Sequence, residues 1–68
     1  MPKTIPFGER LRTLREARGW TQEELGRRAG LAGKTTVWRL EAGQRQPAWP
    51  TVLALANALG VTVGQLHG

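Results

Sequence analysis

The chain has no cysteine, no serine, no aspartate and no tyrosine, and its single histidine, His67, stands beside the last residue. Each absence removes a class of chemistry. Without thiols, neither a disulfide nor a thiolate metal site can staple the 68 residues, so stability must come from a small apolar core. The lack of cysteine agrees with a reducing cytoplasm, which is the expected location. With one terminal histidine and no serine, cysteine or aspartate, no nucleophile–base pair or metal cluster can be assembled; no enzyme and no cofactor is expected. No apolar run reaches the roughly 20 residues that span a bilayer. The opening stretch MPKTIPFGER also lacks a signal-length apolar segment. A single soluble domain, residues 1–68, without a membrane partner, is therefore expected.

What is present is positive charge and punctuation. Ten Lys and Arg against five Glu give +5, a surplus that suits a polyanion, nucleic acid before membrane. A solvated surface would carry the same surplus, so composition alone does not decide. Glycines and prolines divide the chain into short helical patterns with no repeat and no linker.

The first pattern runs from about Pro6 to Arg18, with Phe7, Leu11 and Leu14 on one stripe and Gly19 as its stop. The second opens at Thr21, where Thr21 and Glu24 have the spacing of a capping box, and closes at Gly30. A third lies between Gly33, expected as its N-cap, and Gly43. The fourth starts near Ala48, tolerates Pro50 in its first turn, and carries Val52, Leu55, Ala56 and Leu59 on one stripe. A short fifth helix opens at Thr62. No alternation of period two persists, so the expected class is all-α. The predicted core comprises Phe7, Leu11, Leu14, Trp20, Leu25, Val37, Leu40, Val52, Leu55 and Leu59, with Trp49 beside them.

The informative stretch is residues 21 to 43, TQEELGRRAGLAGKTTVWRLEAG. Two short helices joined by so few residues must cross steeply, which is the helix-turn-helix arrangement. The second of them then suits a DNA major groove. At about 100° per residue, Val37, Leu40 and Glu41 share one side of that helix. Thr35, Trp38, Arg39 and Ala42 share the other. A hydroxyl, an indole and a guanidinium are unusual on a purely solvated face. They suit base reading, since Arg pairs bidentately with guanine and apolar groups meet thymine methyls. Periodicity leaves Trp38 equally able to cover a neighbouring helix.

The remaining basic residues divide by their acids. Arg27 and Arg28 lie three and four residues after Glu24, and Arg12 lies near Glu9 and Glu16, so surface ion pairs account for them. Lys34 has no acid at helical spacing, and Arg45 lies in the irregular segment beyond Gly43; both are expected phosphate contacts. The amides beside Gln22, at the start of the second helix, offer another phosphate position. GLAGKTT resembles the end of a phosphate-binding loop, but Arg28 stands where that motif needs glycine, and a helix rather than a strand precedes it.

Taken together, FGERLRTLREARGWTQEELGRRAG, TTVWRLEAGQRQP and TVLALANALGV resemble the Cro and phage-repressor type of helix-turn-helix family, the xenobiotic-response-element-like regulators. The resemblance implies a five-helix, lambda-repressor-like domain that binds double-stranded DNA sequence-specifically as a transcriptional regulator, a homodimer and a repressor. It implies that Gln22 contacts phosphate, that Lys34, Thr35, Trp38 and Arg39 read bases, and that Arg45 lies near the backbone. It also implies a structural ion pair between Arg15 and Glu41, and a dimer interface around the fifth helix. The chain departs from the pattern in its GLAG turn, one residue longer than usual, and at Ala48, where a capping hydroxyl is common. The alternative reading is a module for a protein partner, such as the antitoxin of a toxin–antitoxin pair, using Trp38, Val63 and Leu66 as its surface.

Overall fold

The computed structural model describes residues 6–31 and 34–67. Their elements are α1 (Phe7–Ala17), α2 (Gln22–Arg28), α3 (Lys34–Glu41), α4 (Trp49–Leu59) and α5 (Val63–His67). Gly33, the expected N-cap of α3, and Ala32, in the lengthened turn, lie outside the described residues. α2 and α3 pack closely on each other, α1 lies against α3 and α5, and α5 closes on α4.

Local chemistry sets the helix ends. α2 stops at Ala29 because Gly30 takes φ 72, a left-handed conformation that costs glycine little. There the Gly30 and Leu31 N–H groups return to the carbonyls of Arg27 and Gly26 at 3.2 and 2.8 Å, a Schellman ending. α1 and α3 end in the same way at Gly19 and Gly43.

The beginning of α2 differs from the sequence expectation. Thr21 Oγ1 accepts the Glu24 N–H at 3.0 Å, but the Glu24 carboxylate does not return to Thr21. It accepts instead from Arg27 and from Arg28, the latter at 2.6 Å, because charged donors one turn on compete better than a neutral amide. The reciprocal box stands at α5. The Thr62 hydroxyl accepts the Gln65 N–H at 3.1 Å, and Gln65 Oε1 accepts the Thr62 N–H at 2.8 Å.

Inside, Leu11, Leu25, Val37, Leu40, Val52, Leu55 and Leu59 are buried, joined by Ala56 and Leu66. Phe7, Leu14 and Trp20 are half-buried against them. Trp49 is a correction, since 60% of it is exposed. It stands at the first residue of α4 and at the edge of the apolar stripe, with most of its indole in solvent. Leu66 is a second correction. It is 0% exposed and supplies no surface for a protein partner.

Gly8 fixes the approach of α1 to α3. A Cβ built there would lie 2.5 Å from the Glu41 carbonyl oxygen and 2.6 Å from that of Leu40. Only glycine lets the first turn of α1 rest on the C-terminal carbonyls of α3.

Candidate nucleic-acid interface

α3 is held on one side and free on the other. Val37 and Leu40 are buried, Thr36 and Glu41 half-buried, and Lys34, Thr35, Trp38, Arg39 and Ala42 exposed. Trp38 is 48% exposed, so a large part of its indole meets solvent. The aliphatic anchors thus fix the helix while its opposite face meets solvent.

An ion pair locks the helix in place. Arg15 Nε donates to Glu41 Oε2 at 2.6 Å and Arg15 Nη2 to Glu41 Oε1 at 3.2 Å. The third donor, Nη1, reaches the Trp20 carbonyl at 2.7 Å. The two side chains are only 12% and 5% exposed. Bidentate geometry and the extra acceptor offset the loss of water that makes buried pairs costly. The hydrogen bond to Glu41 holds the Arg15 guanidinium above its ordinary pKa, against an opposing pull from burial. Gln22 joins this network, donating from Nε2 to Glu41 Oε1 at 3.2 Å. The carboxylate therefore orients the amide of Gln22, and with it the first residue of α2, relative to α3.

Gln22, Lys34, Thr35 and Trp38 line one shallow depression of about 340 Å³. Trp38 and Gln22 also border a second, beside Arg15, Glu41 and Arg12. Arg45 is elsewhere. With Thr36, Leu31 and Pro47 it lines a groove on the other flank of α3. At about 100° per residue, Trp38 leans towards Gln22 and Arg39 towards the Thr36 and Arg45 side. Thr36, not singled out in the sequence, borders that groove.

The basic residues separate cleanly. Arg12 pairs with Glu16, Arg15 with Glu41, and Arg27 and Arg28 with Glu24. The Arg28 guanidinium also lies 4.4 Å from the Trp20 ring centre, a cation–π contact. Arg18 donates to the Leu59 carbonyl at the end of α4, and Arg10 reaches the Gln65 carbonyl at 3.5 Å. Among the described residues, that leaves Lys34, Arg39 and Arg45 with neither an ion pair nor a side-chain hydrogen bond.

Residues 6–67 match the model of a helix-turn-helix domain family. The chain belongs to that family. The fold is the lambda-repressor-like one shared by transcription regulators of the Cro and phage-repressor type. The restriction-modification controller protein C.AhdI from Aeromonas hydrophila is similar at 40% identity and TM-score 0.86, over 91% of this chain and 92% of that one. The P22 c2 repressor, solved in complex with a synthetic operator, is similar at 28% identity and TM-score 0.86, over 94% and 96%. A hypothetical transcription factor, NHTF, from Neisseria shares 32% identity at TM-score 0.83, over 97% and 84%. Comparison with curated protein sequences finds no match. Among the described residues, no helix of this helix-turn-helix domain is long and apolar enough to cross a membrane.

Proposed function

We propose that the chain is a sequence-specific, double-stranded DNA-binding transcriptional repressor that works as a homodimer in the cytoplasm. In this reading α3 enters the major groove, where Lys34, Thr35, Trp38 and Arg39 meet base edges. Gln22 and Arg45, helped by Lys34, hold phosphates on either flank. The observation that carries it is the division of charge. Among the described residues, the three basic side chains with neither an ion pair nor a side-chain hydrogen bond sit on or beside the exposed face of α3. A merely solvated surface gives no reason for that coincidence.

The similar proteins support the reading, since one is named a controller and another a repressor bound to an operator. For the dimer, the support is the apolar pair Trp49 and Leu53, one turn apart on α4 and 60% and 43% exposed. A second copy would remove that pair from water. The dimer would set two α3 helices about 34 Å apart, in successive major grooves. Selection from a random duplex pool tests this directly. Enrichment of an inverted repeat with that spacing is expected. Retention of no duplex at low salt would overturn the function, and enrichment of an unrepeated site would overturn the dimer.

A further inference from the structure

Resting on that reading, we infer that Trp38 determines specificity by reading the 5-methyl group of a thymine next to the backbone held by Gln22. The indole is the one large apolar side chain exposed on α3, at 48%. It shares its depression with Gln22, Lys34 and Thr35. A tryptophan offers a single N–H and no acceptor, so it is poorly suited to the paired hydrogen bonds that identify guanine or adenine. Its exposed surface gains by meeting another apolar group, and the floor of the major groove presents one apolar group, the thymine methyl. The Thr35 side chain adds a methyl to the same depression. Lys34 and Gln22 supply the polar rim that would hold the neighbouring phosphate. Trp38 thus makes this corner of the interface selective for a thymine methyl, while Arg39, on the other flank of the helix face, is left for guanine.

The test is a scan of the selected operator in which each thymine in turn is replaced by deoxyuridine. That exchange deletes the methyl and leaves every hydrogen-bonding group in place. Binding by the unaltered 68-residue chain should weaken about fourfold at one position in each half-site, and about fifteenfold when both are replaced, the effect of losing one buried methyl apiece. Trp38→Ala and Trp38→Gln should bind the thymine and uridine duplexes equally. An operator in which no uridine exchange matters overturns the assignment, as does an equal loss in the variants and the parent. Failure to select any operator would sink the proposed function and this assignment together, whereas a flat uridine scan on a well-bound operator sinks this assignment alone. The scan on the unaltered protein does not depend on any variant folding.

Discussion

Replacing Gly8 by alanine should destabilise the domain even though alanine is the better helix former. In an open helix the exchange would gain about 1 kcal/mol. Here the new Cβ would stand 2.5 and 2.6 Å from the carbonyl oxygens of Glu41 and Leu40. Backbone oxygens at the end of a packed helix cannot swing aside as a side chain can. α1 must therefore retreat by most of an ångström, loosening Leu11 and Phe7 from the core. Overpacking of this kind costs about 1–3 kcal/mol; against backbone oxygens the upper half of that range applies, and with the propensity gain set against it the net loss is about 1–2 kcal/mol. Gly64 is the control. A Cβ there would meet nothing closer than Thr62 Oγ1 at 3.8 Å, so Gly64→Ala should stabilise by about 0.5–1 kcal/mol. In thermal unfolding followed by helical circular dichroism, a domain of this size moves by about 4–8 °C per kcal/mol. Gly8→Ala should therefore melt lower and Gly64→Ala higher. A Gly8→Ala protein as stable as the parent would show that α1 does not rest on the end of α3.

Glu41→Ala strands the Arg15 guanidinium, now only 12% exposed, and should cost about 3–5 kcal/mol in urea unfolding; a loss under about 1 kcal/mol would show that the pair does not hold α3. Burial pushes the Glu24 carboxyl up, but the hydrogen bonds and charges of Arg27 and Arg28 outweigh it and hold its pKa below the ordinary 4.5. A depressed folded-state value gives stability that is present above the unfolded pKa and lost as pH falls through the folded one. The stability gap between the parent and Glu24→Gln should therefore be level above that range and shrink below about pH 4.5; a gap unchanged down to acid unfolding would contradict the pairing. Lys34→Ala and Arg45→Ala should each lower the salt dependence of DNA binding by about one charge per protomer, and Arg45→Ala should do so with little change in sequence preference; an unaltered slope would remove that residue from the phosphate contacts.

The fold was legible because punctuation and periodicity agree. Gly19, Gly30 and Gly43 sit where left-handed endings are needed, and Leu11 with Leu14, Val37 with Leu40, and Leu55 with Leu59 recur at helical spacing. Arg15 and Glu41 lie 26 residues apart, and only the family resemblance joined them. Nothing local pointed to Gly8, because its constraint is the backbone of a helix distant in sequence. Trp49 misled because a periodic stripe gives a direction but not the presence of a neighbour to cover it. Leu66 misled in the opposite sense, being apolar near the C-terminus and yet sealed in by α4 and α1. The Thr62–Gln65 box was readable from its spacing, whereas Glu24 lost its reciprocal role to two arginines whose competition the motif does not express. At the interface, the outward face of α3 followed from its period. The division of Gln22 and Trp38 from Arg45 across two flanks needed the tertiary arrangement.

The most direct measurement is the affinity of Arg39→Ala for the selected operator and for every single-base variant of it. If α3 lies in the major groove with Arg39 on a base edge, discrimination falls by about 1–3 kcal/mol at one base pair in each half-site and is kept elsewhere. Equal weakening on every duplex would make Arg39 a nonspecific backbone contact and contradict the placement of α3.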